Sequence, residues 1–257
     1  MPALPVGDKT MAGLIIQGGA TPGAPITELI SLTLAKNFCR VFNTDDDALF
    51  SVLITAAREA AEEFCNRKFA IQSLLMSLDS FPYYTDTVMS QAAYPPSYYS
   101  LPMYSTTLWN YSQMIKLFYA PCIEVQGIDY TDANGNNQTL MQDTDFLLDN
   151  IWEPARIFPM PGGMWPACLY VPNAVRIRYT AGYGSSAVDP APVDGEIPQG
   201  AGSQPVPQRA IMAQLQLIAS WYENREALSE VTMKEMPQHV KMLLWSLRIV
   251  DFQPTRG

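Results

Sequence analysis

The chain has 257 residues, of which 48% are hydrophobic and 11% aromatic, enough to bury a core in one large domain or two small ones. Lys and Arg total 16 against 25 Asp and Glu, so the net charge of -9 has the wrong sign for binding nucleic acid through its phosphates. No apolar run approaches the roughly 18 residues needed to span a bilayer. We therefore expect a globular protein made in the cytosol, with no membrane partner.

Residues 1–30 are predicted to form an N-terminal arm. Up to residue 25 the segment contains GG and PG turns and prolines without sustained periodicity. That pattern is typical of a disordered tail or of an arm that orders on a neighbouring subunit. From Ile26 the spacing of apolar residues changes and predicts a first helix beginning near Ser31 or Thr33. Residues 31–68 are therefore the expected first part of a helical domain.

A long amphipathic helix is predicted at residues 44–69. Seven apolar side chains recur at spacings of three and four and define its predicted buried face: Leu49, Val52, Leu53, Ala56, Ala57, Ala60 and Phe64. The charged side chains are expected largely on the opposite face: Arg58, Glu59, Glu62 and Glu63. Thr44 or Asp45 is expected to cap the helix, and Asp46 and Asp47 lie where the helix dipole is positive. This acidic run is therefore interpreted as a helix start rather than a metal site.

Residues 69–184 are predicted to form a β region. Short apolar or alternating runs predict strands at residues 70–78, 113–119, 146–148, 156–158 and 174–180. The turn residues between 132 and 136 predict a hairpin. A calcium loop is disfavoured there, because Tyr130 and Met141 would occupy two of its ligand positions. In AVRIRYT the alternation predicts one face with Val175, Ile177 and Tyr179 and another with the two arginines.

A loop at residues 81–111 contains nine aromatic residues and no Lys or Arg. Tyrosine supplies a large amphipathic contact area at low entropic cost, so the loop has the composition of a protein interface. The candidate interface residues are Tyr83, Tyr84, Tyr94, Tyr98, Tyr99, Tyr104 and Trp109. Two alternatives are a loop that packs on itself and a platform on which sugars stack. A nucleic-acid platform is disfavoured, because the basic groove that normally accompanies one is missing.

The rest of the chain returns to helical periodicity. Residues 185–206 are rich in Pro, Gly, Ala and Ser and are predicted to be an exposed linker. Residues 207–252 are the expected second part of the helical domain, with one helix beginning at Gln208 and another opening at Pro237. Residues 253–257 are a C-terminal tail.

We expect no enzyme, no catalytic residue, no cofactor and no bound metal. The four cysteines are scattered without a CxxC pair, so zinc-ligand spacing is absent. They are expected to be free buried thiols, although Cys39 and Cys65 could pair across two helices in an oxidising compartment. His239 is the single histidine and has no nucleophile motif nearby, which favours a surface or capping role over that of a general base.

The predicted order is two helices, a mainly β middle and two further helices. We therefore expect an α+β fold in which N-terminal and C-terminal helices form a bundle with an inserted, mainly antiparallel β region and long loops. This sequence resembles the head-tail connector (adaptor, or head-completion) family of long-tailed bacteriophages over nearly all of residues 31–252. The most specific segments are the DDDALF helix ending in NRKF, the strand VRIRYTAGYG and the helix WYENRE. Residues 81–111 and the segment after Gly184 look longer than in compact members.

The resemblance implies a structural virion protein that forms a dodecameric ring beneath the portal and extends the DNA channel. Its implied partners are the portal protein, a neck or tail completion protein, copies of itself and genomic DNA that passes without sequence-specific binding. Assembly would occur in the host cytoplasm, and the final location would be the virion neck. The polar C-terminal tail is the predicted portal-binding peptide: Asp251, Phe252, Gln253, Pro254, Thr255 and Arg256. The alternative is a carbohydrate- or receptor-binding virion protein that uses the Tyr-rich loop.

Overall fold

The computed structural model describes residues 12–19, 21–82, 113–183, 205–224 and 236–249. The helices of these residues are α1 (Leu32–Cys39), α2 (Asp47–Cys65), α3 (Gln208–Glu223) and α4 (Gln238–Trp245). The strands are β1 (Ala12–Gly18), β2 (Gln72–Leu78), β3 (Ile115–Lys116), β4 (Cys122–Thr131), β5 (Asn137–Leu140), β6 (Phe146–Asp149), β7 (Arg156–Pro159) and β8 (Val175–Ala181). The predicted α+β class is confirmed.

The strands form two sheets. A five-stranded sheet has the order β1-β2-β8-β4-β5, and a three-stranded sheet has the order β3-β7-β6. β5 pairs antiparallel with β4, and β7 pairs antiparallel with both β3 and β6. By its contacts the chain divides into two compact units. Of the described residues, the sheet-rich unit comprises 12–15, 75–82, 113–117 and 125–179, and the helical unit comprises 16–19, 21–74, 118–124, 180–183, 205–224 and 236–249.

In the helical unit, α2 contacts α1, α3 and α4. The ring of Phe50 lies 4.7 Å from that of Tyr222, which joins the start of α2 to the end of α3. The core of this unit includes Phe50, Ile54, Ala57, Ala61, Cys65, Leu217, Ile218, Val240 and Leu244. Burying side chains of this size contributes roughly 1.5–3 kcal/mol each, so packing between helices accounts for most of their stability.

The predicted buried face of α2 is largely wrong. The core side carries Phe50, Ile54, Ala57, Arg58, Ala61, Glu62 and Cys65. Val52 is instead 65% exposed, Leu49 is exposed, and the predicted members Leu53, Ala60 and Phe64 are only partly buried. The two charged residues expected on the outside, Arg58 and Glu62, are 2% and 1% exposed. Glu59 and Glu63 are exposed, as predicted.

Residues next to α1 and α2 determine where these helices begin or end. The Ser31 hydroxyl accepts a hydrogen bond from Leu34 N at 3.1 Å, which confirms the predicted start of α1. The predicted cap of α2 is wrong, since Asp46 occupies the N-cap position without a side-chain capping bond. Its carboxylate accepts a hydrogen bond from the Tyr222 hydroxyl at 2.7 Å instead. α2 ends where Asn66 adopts a left-handed conformation with φ 53°.

Within the sheets, the hairpin and the strands around residues 70–78, 146–148, 156–158 and 174–180 are confirmed. On β8, Val175, Ile177 and Tyr179 are fully buried, as their alternation predicts. Two predictions differ from the structure. The strand expected at residues 113–119 is reduced to Ile115–Lys116, and the arm contains a strand, β1, that was not predicted.

All four cysteines are free, and Cys39 and Cys65 do not form a disulfide. Cys65, Cys122 and Cys168 are buried as expected, whereas Cys39 is only partly buried. α4 is shorter than the predicted helix, and His239 is exposed in its first turn.

Candidate interaction surfaces and the ion network behind them

Glu62 is a buried carboxylate near the end of α2. Its two oxygens accept hydrogen bonds from side chains and from the backbone within 3.2 Å; the donors are Arg58 Nη1, Lys68 Nζ, Gln72 Nε2, Phe69 N and Ala70 N. A buried carboxylate is stable only when its charge and lone pairs are matched in this way. Glu62 therefore fixes the segment from Lys68 to Gln72, which leads into β2, against α2.

Arg58 extends the network on α2. Its Nε donates to Glu28 Oε2 at 3.0 Å, and Glu28 Oε1 accepts from the Thr55 hydroxyl at 3.0 Å. Burial alone would lower the pKa of Arg58, but the carboxylates of Glu62 and Glu28 outweigh burial and raise that pKa. The guanidinium therefore stays charged and joins the segment before α1 to the core side of α2.

The chain that follows α4 is held against the end of α2. Arg67 Nε donates to Leu247 O at 2.5 Å, and Asn66 Nδ2 donates to Ile249 O at 3.1 Å. Ile249 N in turn donates to Cys65 O at 2.9 Å. These bonds fix the point from which the C-terminal tail departs.

The two sets of predicted site residues lie outside the described residues. The Tyr-rich set is Tyr83, Tyr84, Tyr94, Tyr98, Tyr99, Tyr104 and Trp109, and the tail set is Asp251 to Arg256. The described residues instead present other surfaces, which were not among the predicted sites. A second apolar stripe on α2 could have identified the surface that this helix forms, because apolar side chains on two sides of a helix indicate two partners.

An acidic surface surrounds the start and middle of α2. Its exposed members are Phe42, Asp45, Leu49, Val52 and Glu59. Leu49 and Val52 are three residues apart and therefore lie on the same side of the helix, with Glu59 two turns beyond Val52. Phe42 precedes the helix and is 83% exposed. Large exposed apolar groups beside charges are typical of protein contact sites.

A basic surface lies around the far end of α2, where α3 begins and α4 ends. Its exposed members are Arg209, Met212, Met242, Trp245 and Arg248. Arg209 Nη1 donates to Ser246 Oγ at 2.8 Å, which joins the α3 and α4 parts. The Arg248 guanidinium lies 5.6 Å from the Trp245 ring and 5.3 Å from the partly buried Phe64 ring. Trp, Met and Arg are enriched at protein interfaces.

The sheet-rich unit exposes apolar side chains in the turn between β6 and β7. Ile151 is 90% exposed, and the exposed Trp152 ring lies 4.8 Å from the Arg156 guanidinium, which also pairs with Asp149.

The tip of the β4–β5 hairpin contains an acidic side chain, Asp132, that is hydrogen-bonded to the backbone of the turn. Asp132 accepts hydrogen bonds from Asn136 N at 2.8 Å and Asn134 N at 2.9 Å. The bond from the Asn136 backbone is the main reason why the pKa of Asp132 is lowered.

Two kinds of site are not found in the described part of the chain. There, no group of three or more His, Cys, Asp or Glu side chains is placed to hold a metal ion. None of the described helices combines the length and apolarity needed to cross a membrane.

Residues 29–101 match the phage gp6-like head-tail connector protein family. The resemblance stated from the sequence is thereby confirmed over α1, α2, β2 and the chain between them. No curated protein matches the sequence.

The fold is similar to three solved structures. Each match covers 90% of this chain and 99% of the matched chain. The first is from the neck of an empty GTA particle computed with C6 symmetry, with a TM-score of 0.59 and 18% identity. The second is from the virion of a native gene transfer agent (GTA) particle, with a TM-score of 0.56 and 18% identity. The third is from the neck of a native GTA particle computed with C12 symmetry, with a TM-score of 0.52 and 19% identity.

Proposed function

We propose that this protein is a structural component of the virion neck, a head-tail connector rather than an enzyme. The observation that carries this proposal is the fold similarity to chains from GTA particle necks, which extends over 90% of this chain. The match of residues 29–101 to the connector family supports it independently of the fold. In this proposal the protein is assembled in the host cytoplasm and remains in the finished particle.

The proposed assembly is a homo-oligomeric ring of twelve copies beneath the portal. The neck of a native GTA particle was computed with C12 symmetry, and that value motivates the copy number. A ring of identical subunits needs a head-to-tail contact that closes on itself. In each subunit, helices from both ends of the chain would form a bundle that carries the β region.

The ring would extend the DNA channel from the portal and dock the next neck or tail protein. The net charge of -9 supports a channel role, because an acidic wall repels phosphate and lets DNA pass without binding to it. The exposed Ile151 and Trp152 of the sheet-rich unit are a suitable contact for a neighbouring neck component.

Electron microscopy of the purified protein, alone and mixed with purified portal rings, tests the proposal. We expect twelve-fold or six-fold rings stacked coaxially on the portal, with an open lumen. Persistent failure to form rings and to bind the portal, at protein concentrations up to the millimolar range, would overturn the connector function.

The portal contact is assigned to the C-terminal tail. The hydrogen bonds of Asn66 and Arg67 fix the chain as far as Ile249, so the tail begins at a defined place at the end of α2. Deletion of residues 252–257 is expected to leave the melting temperature unchanged and to weaken portal attachment. A variant with the same six residues in scrambled order controls for length and composition. The scrambled variant is also expected to attach weakly. Normal attachment by the deletion variant would contradict the assignment.

A further inference from the structure

Six large exposed apolar residues of the helical unit lie at two separate places, three of them beside carboxylates and three beside guanidinium groups. The acidic surface combines Phe42, Leu49 and Val52 with the carboxylates of Asp45 and Glu59. The basic surface combines Met212, Met242 and Trp245 with the guanidinium groups of Arg209 and Arg248. Each surface therefore has the apolar centre and charged surroundings of a protein interface.

The two surfaces are separated along α2. Val52 belongs to the acidic surface, and Phe64, twelve residues later, contacts the basic surface through Trp245 at 6.5 Å between ring centroids. At 1.5 Å per residue this separation is about 18 Å along the helix axis. Two copies can therefore bring the acidic surface of one against the basic surface of the other without using the same residues twice.

The charges disfavour a two-fold contact centred on either surface, because it would place that surface against its own copy, and like charges brought together cost free energy. A two-fold contact that pairs the two surfaces reciprocally would stop at a dimer and could not build a ring. A head-to-tail contact pairs carboxylates with guanidinium groups and also buries Val52 and Trp245, which are 65% and 63% exposed in the subunit. This is the kind of contact that closes into a ring when it is repeated.

We propose that the acidic surface of one subunit packs against the basic surface of the next copy of this chain, and that this contact builds the ring. The proposal rests on the proposed function, because it takes a symmetric assembly as its premise. Val52 and Trp245 are its apolar anchors. Arg209 and Arg248 are the groups expected to face Asp45 and Glu59 across the contact.

Cysteine cross-linking of assembled rings tests the contact. We start from a Cys39→Ser background, because Cys39 is the partly buried native thiol and the other three are buried. Val52→Cys and Met242→Cys are then introduced into one chain, and the rings are treated with a short bifunctional maleimide. The double variant is expected to give a ladder of covalent dimers, trimers and higher species. A mixture of the two single variants is expected to stop at dimers.

The control pairs Val52→Cys with Glu223→Cys, whose glutamate is exposed at the end of α3 opposite to the basic surface, and is expected to give no covalent dimers or higher species. If rings form but the first double variant stays monomeric, or if either single variant cross-links to itself, the proposed contact is wrong while the connector function stands. If the unmodified protein forms no rings with or without portal, the proposed function and this contact both fail. Electron micrographs of the same samples distinguish these outcomes.

Discussion

Arg58 Nη1 lies 3.2 Å from Glu62 Oε2, and both charged side chains are inside the helical unit, on the side of α2 that also carries Phe50 and Ile54. The two residues are one helical turn apart, so the pair needs no distortion of the helix. Glu28, Lys68 and Gln72 supply further side-chain partners. Because these partners come from the segment before α1 and the segment after α2, the pair holds both segments against the helix.

Replacing Glu62 with Gln is expected to lower the free energy of unfolding by about 3–5 kcal/mol. The substitution removes one partner of a buried ion pair and leaves the Arg58 and Lys68 charges without their shared carboxylate. Urea unfolding followed by circular dichroism measures the change. Glu63→Gln is the matched control, because Glu63 is exposed on the same helix and should change stability by less than about 0.5 kcal/mol. Equal stability of the two variants would show that the network contributes nothing.

The buried pair also explains why the sequence predicted the wrong face of α2. Residues Phe50, Ile54, Ala57, Ala61 and Cys65 follow helical spacing as well as the predicted set does, so periodicity alone permits two apolar faces. Charged residues normally lie on the surface, so the presence of Arg58 and Glu62 on the correct face made the sequence favour the other face. Their burial depends on Glu28 and Gln72, which no local pattern connects to them.

Side-chain truncation on the two sides of α2 is expected to have different effects on the stability of the subunit. Ile54→Ala should cost about 2–5 kcal/mol, because Ile54 is 4% exposed and its removal leaves a cavity. Val52→Ala should change the subunit's stability by less than about 0.5 kcal/mol, because Val52 is largely exposed. Thermal melts of the dilute, unassembled protein measure both. A larger loss for Val52→Ala would mean that the acidic surface is covered within the subunit.

Other parts of the fold could be predicted for clear physical reasons. Alternation on β8 and the turn residues of the β4–β5 hairpin are local signals, and both elements were found where they were expected. β1 was missed because it begins in a Gly-rich arm and has exposed apolar residues, Ile15 and Ile16, without a polar–apolar alternation. The basic surface could not be predicted, because it combines residues of α3 with residues in and after α4, which no local pattern connects.

Alkaline pH is expected to destabilise the fold through Cys65. Burial is the main reason why its pKa is raised to about 12 from an ordinary value of 9.0. Between pH 9 and 12 the unfolded chain releases the thiol proton while the folded chain retains it, so the free energy of unfolding falls as pH rises. Urea titrations from pH 8 to 10 measure this slope, and Cys65→Ala should make it shallower. An identical slope in the variant would exclude Cys65 as the cause.

Gly182 is expected to tolerate no side chain. Its φ is +137°, and a Cβ built there would lie 2.4 Å from Ala70 O and 2.6 Å from Ile71 Cα. Gly182 N also donates to Pro121 O at 2.9 Å, so the backbone cannot move away without losing a hydrogen bond. Gly182→Ala therefore combines backbone strain with overpacking against main-chain atoms, and we expect a loss of about 2–5 kcal/mol.

Gly135→Ala provides the comparison for that variant. Gly135 also has a positive φ, +87°, but a Cβ there meets nothing within 4 Å. Only backbone strain of about 1–2 kcal/mol applies to it. Chemical denaturation of both variants measures the difference, and the excess loss at Gly182 reports the close approach of residues 70 and 71 to the end of β8. Equal losses would mean that the backbone at Gly182 relaxes and that this approach is not required for the fold.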